Sequence, residues 1–118
     1  ETITADMYKD AMATQSKISQ QLTSFLDGYD AILTLSTGDV AQAAGAVSDV
    51  PDNGLVWTFC GTPALNIPNG QSPGGLPLGI QLVAPKYADY DLLNLAMRLG
   101  NEGVLPGQVD ICTPSRAS

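Results

Sequence analysis

The chain has 118 residues, of which 5 are Lys or Arg, 12 are Asp or Glu and none is His, giving a net charge of −7. That length sets one domain or less, and five dispersed cations make no basic stripe able to track phosphates, so neither nucleic acid nor an anionic membrane is expected as a partner. Without imidazole the chain can build no Ser-His-Asp or Cys-His relay and no His-ligated zinc, and no metal or cofactor is expected.

Apolar residues make up 44% of the chain, but their longest runs fall far short of the roughly 20 residues that cross a bilayer, and no signal segment opens the sequence. A soluble, cytoplasmic protein is the expectation. Cys60 and Cys112 stand far apart with no C-x-x-C pattern, which favours a reducing compartment and a buried thiol at Cys60. The first residue is Glu1 rather than Met, as expected for a chain processed or cut from a longer one.

Residues 5 to 27 place Tyr8, Ala11, Ile18, Leu22 and Phe25 at mostly three-and-four spacing, with Gln15 as the polar interruption. This predicts an amphipathic helix, with Thr4 as N-cap and Gly28 as its left-handed stop. Tyr29 to Leu35 reads as a short strand, apolar on both faces and so largely buried. Residues 36 to 54 form a long Ser/Gly/Ala/Asp-rich connection closed by the turn sequence Pro51-Asp52-Asn53-Gly54. Leu55 to Thr62 is apolar but open between strand and short helix. Ala64 to Ile67, bracketed by Pro63 and Pro68, and Leu78 to Ala84 read as strands joined through the Gly-rich turn 69 to 75, hence an antiparallel hairpin. Asp89 is placed to cap a helix carrying Leu92, Leu93, Leu95, Ala96, Met97 and Leu99, which Gly100 closes. The division is helix 1–28, an α/β part 29–100 and an irregular tail 101–118, with three to four strands flanked by two helices. Two helices cover only part of such a sheet, and the uncovered apolar surface predicts association, with a homo-oligomer as one outcome.

Several short patterns invite a catalytic reading and fail it. Gly70-Gln71-Ser72-Pro73-Gly74 matches G-x-S-x-G, yet a nucleophile elbow needs strand, turn, helix and a later His, whereas a strand follows here. Ser72 is assigned to the hairpin turn. Ser16 and Lys17 are helix neighbours that point about 100° apart and cannot share a proton well. Asp49 and Asp52 belong to the long connection as turn residues, and Trp57 reads as a core or interface anchor. No catalytic residue is assigned within the chain.

One larger pattern remains. Gly61-Thr62-Pro63-Ala64-Leu65-Asn66-Ile67-Pro68, then Gly75-Leu76-Pro77-Leu78-Gly79-Ile80-Gln81-Leu82-Val83-Ala84-Pro85, then Asp91-Leu92-Leu93, closely resembles the carboxy-terminal part of amidase signature family hydrolases. Tyr29-Asp30-Ala31-Ile32-Leu33-Thr34 resembles that family's Y-D-A-L-L-T, with Leu35 where Pro is usual, and Trp57-Thr58 resembles a W-T or W-N pair ahead of the Gly. The resemblance implies part of a mixed-sheet α/β fold. It also implies hydrolysis of a carbon–nitrogen amide bond by a Ser nucleophile, a bridging Ser and a Lys base, all lying ahead of the matched segment. The partners it implies are that amino-terminal catalytic portion and a small-molecule amide substrate. By analogy Ser36, Thr37, Trp57 and Thr58 are expected to face the substrate. A free-standing interaction subunit, docking through the same sheet, is the alternative.

Overall fold

The computed structural model describes residues 2–45 and 53–105. In chain order these form α1 (Ala5–Leu26), β1 (Ile32–Leu35), α2 (Leu55–Cys60), β2 (Ala64–Gln71), β3 (Pro77–Val83) and α3 (Asp89–Asn101). The sheet has three strands in the order β1-β3-β2, antiparallel throughout. It is an α/β arrangement with three helices among the described residues rather than the two expected. The open reading of 55–62 resolves as helix. The predicted turn positions Asp49 and Asp52 lie outside the described residues.

Local chemistry accounts for most element ends. Thr4 caps α1 by accepting a hydrogen bond from the Met7 amide at 3.2 Å, which satisfies one of the first-turn donors left without a helical partner. Asp89 does not cap α3. Ala88 holds the cap position with no side-chain bond, and Asp89 with Asp91 sits in the first turn, where negative charge favours the helix dipole. Gly100 lies inside α3 rather than closing it. The hairpin runs longer than the prolines suggested: β2 passes through Pro68, which pairs with Gly79, and the register shifts between Pro68 and Gln71. Pro68 is tolerated because its missing N–H belongs to the side of β2 turned away from β3. Ser72 occupies the turn, where its hydroxyl accepts from the Leu76 amide at 3.2 Å.

The core lies on one face of the sheet. Leu82, Ala84, Leu92 and Leu105 are buried together, with Leu65, Ile67, Ile80, Ala96 and Leu99 packed around them, so the core forms where α3 meets β3. The registers Leu65↔Leu82 and Ile67↔Ile80 explain the grouping, since paired residues share a face. Leu33 and Leu35 share that face through Leu33↔Leu82 and Leu35↔Ile80, yet they remain 61% and 59% exposed. The strand expected to be buried on both faces is therefore open on one.

Helix α1 also departs from the simple amphipathic picture. Its end is anchored by buried Leu26 and half-buried Leu22, while Tyr8 and Phe25 stay 61% and 65% exposed. The contact with α2 is polar: Gln15 Nε2 donates to the Phe59 carbonyl at 2.7 Å and Ser19 Oγ to the Cys60 carbonyl at 3.2 Å. These bonds occupy carbonyls at the end of α2 that lack helical partners. The Cα radius of gyration is 17.9 Å, against about 13–14 Å for a compact chain of this length. No helix among the described residues is long and apolar enough to cross a membrane.

Candidate functional site

The face of the sheet opposite α3 carries a row of polar groups. The registers Thr34↔Gln81 and Asn66↔Gln81 bring three strands together on it, and Ser36 continues the row beside Gly79, whose carbonyl accepts from the Ser36 amide at 3.2 Å. Ser36 Oγ donates to Asn66 Oδ1 across β3. That bond spans the middle strand only because position 79 has no side chain: a Cβ there would stand 2.6 Å from Asn66 Oδ1 and 2.9 Å from Ser36 Oγ.

Gln81 is the one buried polar side chain among the described residues. Its Nε2 donates to the Leu35 carbonyl at 3.1 Å and lies 3.5 Å from the Asn53 carbonyl, while Asn53 Nδ2 donates to the same Leu35 carbonyl at 3.2 Å. A buried amide stays favourable only while its hydrogen-bonding groups are met. Gln81 thereby ties the exit of β1 to the residues that enter α2, and so sets where Ser36 and Thr37 stand.

Two open cavities flank this arrangement. Ser36, Thr37, Asp39, Asn66 and Gly79 line one of about 460 Å³, whose remaining wall includes Val40, Pro68, Pro77 and Leu78. Thr58 lines another, of about 780 Å³, between α1 and the end of α2, with Ser16, Ser19, Cys60, Gly61 and Lys86. The four residues expected at the substrate thus divide: Ser36 and Thr37 line the first cavity, Thr58 borders the second, and Trp57 on α2 lines neither. The Trp57 Nε1 atom is buried with no hydrogen-bond partner among the described residues.

Gly61 ends α2 in the left-handed region at φ +67, with its amide on the Thr58 carbonyl at 3.2 Å and the Thr62 amide on the Trp57 carbonyl at 3.1 Å. A side chain would be strained at that angle, which explains the Gly opening the Gly61-Thr62-Pro63-Ala64 motif. Cys60 is buried, as expected. Among the described residues no Ser, Thr or Cys is hydrogen-bonded to a Lys, and no three metal-ligating side chains come together. Asn66, Gly79 and Gln81 stood in the sequence as strand and motif residues with no site role assigned. Polar residues at two-residue spacing, Thr34 with Ser36, and the side-chain-free Gly79 two before Gln81 were the signal that could have marked the polar face.

The described residues form part of an α/β body, and comparison with known proteins shows its family. The family model described as Amidase matches residues 1–93; the chain belongs to the amidase family. It is 33% identical over 101 residues to a glutamyl-tRNA(Gln) amidotransferase subunit from Roseobacter denitrificans, covering 78% of this chain and 20% of that protein. It is also 33% identical over 95 residues to the subunit of the same name from Thermotoga maritima, covering 75% and 20%. The solved Thermotoga maritima structure of that name superposes with a TM-score of 0.72 at 27% identity, over 91% of this chain and 24% of its own. A crystal structure of an amidase gives 0.72 at 26% identity, over 88% and 26%. The chain spans about a fifth of the length of the curated relatives it matches.

Proposed function

We propose that this chain is the carboxy-terminal part of an amidohydrolase that cleaves a carbon–nitrogen amide bond, with the Ser nucleophile, bridging Ser and Lys base carried outside it. The supporting observation is that the chain superposes on a solved amidase and on a solved amidotransferase subunit while Leu33, Leu35, Tyr8 and Phe25 remain uncovered, as expected of one side of a larger body. In this reading a Lys kept neutral by burial accepts the nucleophile's proton through the bridging hydroxyl, and backbone N–H groups stabilise the tetrahedral oxyanion. No imidazole is needed.

The contribution of this chain is the wall of the substrate cleft. Ser36 and Thr37 present hydroxyls to a small-molecule amide, held in place by Gln81 and Asn66, while Thr58 stands at the separate cavity between α1 and α2. The partner is the amino-terminal catalytic portion, and the setting is the cytoplasm, which the lack of a cysteine framework supports. Relatives named as subunits of an amidotransferase, together with two open sheet edges, favour one second reading: a non-catalytic subunit that docks a partner through the sheet.

The coding sequence ahead of Glu1 tests both. The first reading expects several hundred preceding residues with a Gly/Ser-rich run and a Lys, amide hydrolysis by that longer polypeptide, and none by the 118-residue chain. A start codon directly before Glu1 would overturn it in favour of the second.

A further inference from the structure

Asn is followed by Gly twice in the chain, at Asn53-Gly54 and at Asn69-Gly70. The dipeptide is chemically labile, because a glycine carries no side chain to keep its amide nitrogen from the asparagine side-chain carbonyl carbon. The fold puts the two copies in opposite circumstances. Asn53 is half-buried, and its Nδ2 donates to the Leu35 carbonyl at 3.2 Å. Its own carbonyl lies 3.5 Å from Gln81 Nε2, and Gly54 caps α2, its carbonyl accepting from the Thr58 amide at 3.0 Å. Side chain and backbone are thus engaged on both sides of the bond that must turn before the two groups can meet. Asn69 is exposed. With Gly70 it lies in the register shift of β2: Pro68 pairs with Gly79 and Gln71 with Pro77, and neither residue between them has a partner in the register. A bulge of this kind leaves its extra residue outside the ladder. Gly70 stands at φ +123 in open space, with nothing within 4 Å of the place a Cβ would take.

We propose that Asn69, in the β2 bulge, is a site of spontaneous deamidation through Gly70, and that the bonds to Leu35 and Gln81 protect Asn53 from the same reaction. The Gly70 nitrogen bonds to Asn69 Cγ, the Cγ–Nδ2 bond breaks, and the proton lost from the glycine amide leaves on the departing ammonia. The product is a five-membered succinimide. Water then opens the ring at one carbonyl or the other, leaving isoaspartate or aspartate. In sum one water is consumed, one ammonia is released and the chain gains one negative charge. The attacking nitrogen must give up its proton, so the rate rises with pH. In isoaspartate the main chain runs through Cβ and is longer by one atom, which a bulge tolerates better than a paired position. The new charge arises next to Pro68, which lines the cavity of about 460 Å³ beside Ser36 and Thr37.

The test incubates the full polypeptide at mildly alkaline pH, once folded and once in urea, and follows both asparagines by mass-spectrometric peptide mapping. Cleavage at Trp57 and Phe59 puts Asn53 and Asn69 on separate peptides, and each conversion reads as the mass gained when an amide becomes a carboxyl. In the folded protein Asn69 converts at least about tenfold faster than Asn53, and in urea the two rates fall within about threefold of each other. Asn69→Gln abolishes the fast conversion and leaves the rate at Asn53 unchanged. Equal rates at the two sites in the folded protein overturn the proposal, as does a ratio that urea leaves unaltered, since the dipeptide's own surroundings in sequence would then set it. Conversion of Asn69 slowed more than about tenfold by folding overturns it too, because the bulge would then be as firmly held as Asn53. None of these readouts involves amide hydrolysis by the enzyme, so the outcome stands apart from that of the proposed function.

Discussion

Gly79 shows how one missing side chain organises a polar face. Gly79→Ala forces Asn66 away from Ser36, because the new Cβ would meet Asn66 Oδ1 at 2.6 Å, and it is expected to cost about 1–3 kcal/mol of stability. Asn66 is exposed and can move, so most of that cost should vanish when Gly79→Ala is combined with Asn66→Ala. Urea denaturation of the two single variants and the double variant measures the coupling, and strict additivity would show that the clash is not the cause. Gln81 is a second residue of this kind. Gln81→Leu takes one of two donors from the Leu35 carbonyl and buries an apolar group against the Asn53 carbonyl, a loss of about 1–2 kcal/mol by the usual cost of an unmet buried acceptor. Its distinguishing mark is faster amide exchange at residues 53 to 55, since the side chain bridges to them.

At the scale of the element, α1 is held by its ends and by polar bonds rather than by its apolar stripe. Thr4→Ala removes the only side-chain cap of the helix and is expected to cost about 1 kcal/mol, read as fraying of the first turn. Gln15 and Ser19 carry the contact to α2 through the Phe59 and Cys60 carbonyls. The pair Gln15→Ala and Ser19→Ala should release α1 from α2, at about 1 kcal/mol per bond, and raise exchange along residues 12 to 20 while β3 stays protected. Equal loosening of helix and sheet in that variant would mean that α1 folds only with the whole body. The periodicity of α1 predicted its existence and its cap, but the residue that looked like an interruption, Gln15, turned out to make its longest-range bond. Sequence spacing shows where apolar side chains recur; it does not show that the stripe they form will find a surface.

At the scale of the whole molecule, the uncovered side chains set the behaviour of the isolated chain. Fully burying a leucine is worth roughly 1.5–3 kcal/mol, so Leu33, Leu35 and Phe25 together represent stabilisation comparable with much of a small domain's net stability. Light scattering of the 118-residue chain at micromolar concentration should report a dimer or larger assembly, the expected homo-oligomer, and a monodisperse monomer with a sharp unfolding transition would count against it. No amide turnover is expected from the chain alone: Ser72 is held in a backbone turn, and no described hydroxyl is bonded to a lysine. Activity that survives Ser72→Ala would reveal a site that neither sequence nor fold discloses.

What the amino-acid sequence determined by itself was local or cumulative: the N-cap at Thr4, the turn at Ser72, the hairpin from Ala64 to Val83 and, through several ordered motifs, the amidase family. These rest on backbone preferences and on patterns that survive without neighbours. Only the tertiary structure decided that Leu65 and Ile67 pack against the core while Leu33 and Leu35 stay exposed, that Ser36 reaches Asn66 over a bare Gly79, and that Gln81 ties β1 to the start of α2. Those facts depend on which strand lies in the middle of the sheet. The order β1-β3-β2 pairs Ile32 with Val83 and Leu35 with Ile80, far apart in the chain, and the pairing that brings them together is a property of register and packing that no single stretch of sequence contains.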